Sequence, residues 1–180
     1  MLPGAHLEFT WAALNAAQRA GLFEDADYRG VALAALAPDL IDKPLAVFAF
    51  PQANATLLFS HTLLGHALVW ALALWRAGRR TLPYLLAFSG HLLADRMWGF
   101  TQTLLWPLRG WHFHKWRHVG SPQAFGRAYI DIILHEPKLR RFEVIGLALL
   151  AWVILDRRLY DRERIGQVLR HGRVAGPGEV

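Results

Sequence analysis

The 180-residue chain has no cysteine. That excludes a disulfide framework and any thiolate metal site, so a metal would have to be held by imidazole and carboxylate. Either side of a membrane remains compatible with this. Charge is also scarce: 19% of residues are charged and 54% hydrophobic, with mean hydropathy +0.20, against about 25% and 45–50% in an average soluble domain. The composition leans towards a membrane. There is no internal repeat, Gly-rich phosphate loop or low-complexity tract. The opening MLPGAHLEFTWAAL lacks a basic n-region and carries Glu8 where an apolar signal core would lie, so no signal peptide is expected and His6 stays in the mature chain.

Basic residues are scarce in the earlier part and abundant in the later one. Residues 1–75 hold three basic and six acidic side chains, and residues 76–180 hold seventeen and eight, within a net charge of +6. Nucleic acid is one possible partner for a basic segment. Basic side chains flanking apolar runs fit anionic lipid head groups and the positive-inside bias better, so membrane lipid is the preferred partner and nucleic acid the disfavoured one.

The length suits one domain. Residues 6–20, HLEFTWAALNAAQRA, have helical spacing and a stop at Gly21. In VALAALAPDLIDKPLAVFAFP the helical pattern is interrupted at Pro38, which predicts a short break carrying Asp39 and Asp42. LLFSHTLLGHALVWALALW, residues 57–75, runs nineteen residues without charge and is a transmembrane helix candidate, its end placed on the cytoplasmic side by Arg76, Arg79 and Arg80. TLPYLLAFSGHLLA suits a buried core helix or a half-span. WPLRGWHFHKWRHVGSPQAFGR reads as a head-group-level loop rich in tryptophan and basic residues. VIGLALLAWVIL follows, then a charged tail with a surface helix. The expectation is an all-α, membrane-associated bundle of about five to seven helices, one domain over 1–155 and a basic C-terminal tail over 156–180.

In SGHLLADRMWGF, His91 and Asp95 stand four apart, which on a helix puts them on one face, able to grip one object. Composition alone gives about 0.4 such pairs by chance, so context has to raise the motif. The bland alternative is a buried pair satisfying itself by a hydrogen bond. His6, Asp39, Asp42 and His61 supply the context: each is an ionisable or ligating group in apolar surroundings, where isolated burial is costly unless paired or metal-bound. His66 follows His61 by five residues, rotated about 140°, and is expected as a packing or supporting histidine. His112, His114 and His118 in the aromatic loop are expected at head groups or solvent, with completion of a metal site as the alternative, and the His135-Glu136 pair is expected as a cap or surface pair. Arg96, beside Asp95, suits a phosphate oxygen or a simple ion pair, and Arg109 stands nearby in sequence.

The APDLIDK segment, the Ser60-His61-Thr62 triplet, the His91-Leu-x-x-Asp95 helix, Trp98-Gly99 and then LLWP together resemble the inner-membrane-associated, metal-dependent hydrolases described as LexA-binding. The resemblance covers roughly residues 1–110. That family is in turn distantly similar to zinc-dependent phospholipase C. The resemblance implies His6, Asp39 or Asp42, His61, His91 and Asp95 as ligands of one or two divalent ions, most naturally zinc, with Asp95 the candidate bridge. With a metal bound there, a carboxylate left free, Asp39 or Asp42, suits the proton of a metal-bound water, and Arg96 suits a phosphate oxygen. The chain departs from the pattern in having Leu58-Phe59 where the family has Arg-Gly, and in lacking a counterpart of the later His, His and Glu ligands of zinc phospholipase C.

The leading expectation is therefore a metal-dependent hydrolase of phosphodiester or phospholipid substrates at a membrane, with the bacterial inner membrane as its place. The alternative is a non-catalytic membrane protein of the same fold that binds lipid or a regulatory partner. A transporter with intramembrane ionisable groups is a third, weaker option.

Overall fold

The computed structural model describes residues 1–115 and 121–173. His118 and the last seven residues lie outside them. Helix α1 (Pro3–Arg19) has its proline in the first turn, where the missing N–H has no helical partner to lose, and Arg19 in the last turn, complementing the helix dipole. It is followed by α2 (Tyr28–Pro44), α3 (Leu63–Ala77), α4 (Leu82–Ala94), the single turn α5 (Thr101–Leu104), α6 (Pro122–His135), α7 (Pro137–Asp156) and α8 (Arg162–His171). Among the described residues there are seven helices of ten residues or more and no strand, so the fold is all-α.

The chain forms two compact units. The first comprises Met1–Leu36, Leu82–Gly90 and Lys138–Val180. Its core gathers Ala12, Leu14, Tyr28, Val31, Ala35, Ala87, Val153, Leu159 and Val168, with Trp11 packed edge-on against Tyr28 and its indole N–H bonded to the Tyr28 carbonyl at 2.9 Å. Leu159 and Val168 attach the basic segment after residue 156 to this core. The Tyr28 N–H donates to the Gly172 carbonyl at 2.7 Å, and Arg29 reaches the Leu169 and Arg170 carbonyls at the end of α8. Arg157 is buried with its Nε on Asn15 Oδ1, and the Asn15 amide reaches Asp156 at 2.9 Å, so the buried guanidinium has polar company.

The second unit comprises Ala37–Thr81 and His91–Pro137. Ala46, Ala55 and Leu58 form its small apolar cluster, with Phe113 against them. Phe59 meets Phe50, Trp106 and Phe113 edge-on at 5.8, 5.3 and 5.0 Å. This aromatic packing fixes the chain immediately before His61, and it holds Trp106 and Phe113 of the aromatic loop against protein while Trp111 stays exposed.

Two expectations are corrected. The break at Pro38 is absent: α2 runs through it, because an internal proline forfeits one backbone donor and crowds one turn, and the Asp39 and Asp42 contacts described below hold the helix beyond it. The nineteen-residue run 57–75 is not one helix. Phe59–His61 is a 3₁₀ turn, and α3 starts only at Leu63, capped by Thr62 Oγ1 accepting from the Gly65 N–H at 2.9 Å. Ser60 and His61 have partners on α2, the Pro38 carbonyl and Asp42, that a straight helix would not give them. Among the described residues no helix is long and apolar enough to cross a membrane, which removes the transmembrane helix expected here.

Candidate metal centre

All parts of the site belong to the second unit. The C-terminal half of α2 carries Asp39 and Asp42, three apart and therefore on one side of the helix. The Asp42 side chain is fully buried and organises the turn that follows the Asn54 region: one of its oxygens accepts from the Leu58 N–H at 2.6 Å and from His61 Nδ1 at 2.7 Å, and the other from the Ser60 N–H at 3.1 Å. Ser60 is tied again by its hydroxyl to the Pro38 carbonyl at 2.8 Å. Because Asp42 receives the Nδ1 proton, a neutral His61 presents the lone pair of Nε2, which is the tautomer a metal ligand needs.

That nitrogen faces three other donors. His61 Nε2 lies 3.2 Å from His91 Nε2, 3.7 Å from Asp39 Oδ1 and 3.8 Å from Asp95 Oδ2, while His91 Nε2 lies 3.7 Å from Asp39 and 3.3 Å from Asp95. All four donor atoms fall within 4.8 Å of one another. In a regular tetrahedron, edges of 3.2–3.8 Å, the five distances that involve a histidine, correspond to centre-to-donor distances of about 2.0–2.3 Å, the range of zinc bonds to imidazole and carboxylate. The donor set therefore fits a divalent cation in size and chemistry.

The electrostatics agree. Burial works against a charged His91, yet the flanking Asp39 and Asp95 carboxylates outweigh it and push the imidazole up to about 9. Burial likewise opposes a charge on His61, and its bond to Asp42 and the nearby Asp95 carboxylate raise it nonetheless. Burial alone would raise Asp39, but His91 and Lys43 hold its carboxyl far below the usual range. A proton pulled into this cage marks the same concentration of negative potential that would attract a cation.

Lys43, one turn after Asp39, was not singled out by its sequence context. Its ammonium bonds Asp39 Oδ2 and sits 5.3 Å over the Tyr129 ring, leaving Oδ1 to face the histidines. The i,i+4 spacing of Asp39 and Lys43 was the available signal. His66 is buried and donates from Nε2 to the Ser60 carbonyl at 3.0 Å, and burial lowers it to about 4, so it is neutral and supports the turn as expected.

The remaining candidates are not among these four donors. His6 is buried on α1 in the first unit and does not belong to the group. Arg96 is exposed, in the left-handed region at φ +53°, directly after Asp95. Arg109 bonds Thr101 Oγ1 at 3.0 Å. His112 and His114 line a cavity of about 400 Å³ with Gln102, Phe113 and Lys115. His135 pairs with Asp131 at 3.0 Å on the surface of α6.

Fold and site define an α-helical protein with a buried two-histidine, two-aspartate centre suited to a divalent cation. The chain belongs to the YdjM inner membrane protein family, whose family model matches residues 1–162. Membership places it at the inner membrane, in line with the expectation drawn from the motif resemblance. No curated protein and no solved structure gives a match.

Proposed function

We propose that the protein is a metal-dependent hydrolase of phosphodiester or phospholipid-type substrates, working at the membrane with zinc held by Asp39, His61, His91 and Asp95. The observation that supports it most is the convergence of these four donors on one centre, with Asp42 fixing the His61 tautomer from behind. A bound zinc ion supplies Lewis acidity and brings the pKa of water towards 7. The chain's own residues divide the other tasks. Lys43 aligns Asp39. Asp42 has both oxygens engaged by three donors and is an orienting group rather than a proton acceptor. Asp95, the least buried of the three carboxylates at 13% side-chain exposure, is the best placed to accept a proton from water. Arg96, beside it on the surface, suits the phosphate of an arriving substrate. The resemblance of the chain's motifs to the metal-dependent hydrolases described as LexA-binding supports this reading.

Leu93 and Trp98 flank Asp95 in sequence and are 68% and 60% exposed. An apolar rim of this kind favours a substrate with acyl chains over a small water-soluble ester.

One observation favours a second reading. Four protein donors can close a tetrahedral zinc site, and closed sites are structural. The test is metal content by mass spectrometry after zinc loading, with turnover of a soluble bis-aryl phosphodiester and of phosphatidylglycerol, for wild type, His91→Ala and Asp95→Asn. One equivalent of zinc with turnover, both lost in the variants, is the expected result. Zinc without turnover, and a melting temperature that collapses on chelation, would make the centre structural. No zinc in the wild type would overturn both readings.

A further inference from the structure

Helix α3 has its polarity inverted. A helix on the surface of a soluble protein turns apolar residues inward and polar ones out. Here the side chain buried on α3 is His66, whose ring meets the Ser60 carbonyl. The opposite face carries Leu64, Leu68, Ala71, Leu72 and Trp75, all exposed, with Leu68 at 62% and Trp75 at 78%. No charged residue occurs on the helix before Arg76. At fifteen residues α3 is about 22 Å long, short of the roughly 30 Å hydrocarbon core.

The end of this face is cationic and aromatic. Arg76 stacks over the Trp75 ring at 5.7 Å, and Arg79 and Arg80 follow in the turn Gly78–Thr81, all three exposed. Tryptophan with arginine is the pairing that anchors a segment at head-group depth, and clustered arginines meet the phosphates of anionic lipids.

We infer that α3 is the element that enters the lipid: it lies along the interface with Leu64, Leu68, Leu72 and Trp75 in the acyl region and Arg76, Arg79 and Arg80 against anionic head groups, without crossing the bilayer. This deepens the lipid part of the proposed function, and it stands or falls independently of the metal centre, because its test reads depth and not turnover. It also bears on supply of substrate. α3 begins two residues after His61, so its N-terminal end brings the lipid surface to the segment that carries a metal ligand.

The absence of cysteine makes the test direct. Full-length Leu68→Cys and Leu72→Cys proteins, each labelled with an environment-sensitive fluorophore, are added to vesicles of phosphatidylcholine with or without phosphatidylglycerol. The expected result is a blue shift at both positions on phosphatidylglycerol vesicles, quenched by lipids brominated on the acyl chains. In the Leu68→Cys background, Arg79→Gln with Arg80→Gln is expected to weaken partitioning to anionic vesicles about 30-fold, at about fivefold per arginine, and to leave binding to neutral vesicles unchanged. Labels that stay unshifted and unquenched on lipid would overturn the inference. So would a shift that follows protein concentration without lipid and resists the brominated quencher, since a second copy of the chain would then be covering the face. Equal effects of the arginine pair on neutral and anionic vesicles would overturn the head-group assignment.

Discussion

Replacing Asp42 by asparagine separates a ligand from the group that orients it. The Asp42 carboxylate accepts from three donors, Leu58 N at 2.6 Å, His61 Nδ1 at 2.7 Å and Ser60 N at 3.1 Å. An amide of the same shape has one oxygen. If that oxygen faces Leu58 and His61, the amide NH₂ confronts the Ser60 N–H and leaves a buried donor unpaired, a cost of about 1–3 kcal/mol. The two surviving bonds also lose their charge assistance, about 1 kcal/mol each. The metal-free protein should therefore lose about 3–5 kcal/mol of stability, read from thermal or denaturant unfolding under chelation. If the amide turns round, its NH₂ donates to His61 Nδ1, the ring proton moves to Nε2, and the lone pair facing the centre is lost. In either case zinc affinity should fall about 10- to 100-fold, as for other carboxylates behind a ligating histidine, measured by competition with a chromophoric chelator. Asp39→Asn, which removes a ligand, should lose more. A folded Asp42→Asn protein with wild-type zinc affinity, or one that loses more zinc than Asp39→Asn, refutes the division of labour between the two aspartates.

Gly65→Ala should strike the same turn through sterics: a Cβ there would stand 2.3 Å from the Phe59 carbonyl oxygen, so the backbone before His61 must move, costing about 1–3 kcal/mol despite alanine's better helix propensity and lowering the melting temperature and zinc content together. Lys43→Met should let the Asp39 carboxyl rise from its depressed value and rotate, weakening zinc about tenfold in the chelator competition while the fold melts near the wild-type temperature. Zinc and a proton compete for His91, which carries its proton below about 9. Affinity should accordingly increase about tenfold per pH unit up to that value and then level off, and a flat profile between pH 6 and 8 would refute this. The chelated protein should behave oppositely: a folded-state value raised from 6.5 to about 9 stabilises fully below 6.5 and is lost as pH rises through 9, about 3 kcal/mol in all, visible as a falling melting temperature over that window.

Periodicity located the helices because most of them obey it. It failed where polar residues have partners far away in the chain. Residues 57–75 contain no charge, and hydropathy alone extends them into one span. What keeps the helix from starting before Leu63 is the Asp42 carboxylate, which takes the Leu58 and Ser60 N–H groups from sixteen and eighteen residues away, together with the Thr62 cap. Only the cap was visible locally. Pro38 misled in the opposite direction: one lost backbone donor is a local penalty, whereas the contacts of Asp39 and Asp42 that keep α2 going are non-local.

The site shows the same division. His91 and Asp95 were legible as a pair because helix geometry guarantees that residues four apart share a face, and their donor atoms do lie 3.3 Å apart. Asp39 and Asp42 were not separable in sequence, since both sit in one short segment and either can reach inward. What separates them is the number of donors that the turn 58–61 aims at Asp42, which consumes both of its oxygens, and the single ammonium at Asp39, which leaves one oxygen for the centre. A sequence names the residues able to bind a cation. Which of two neighbouring carboxylates does so depends on the backbone N–H groups left over when a distant turn is built, and those groups are also what makes Asp42→Asn a decisive perturbation of the centre.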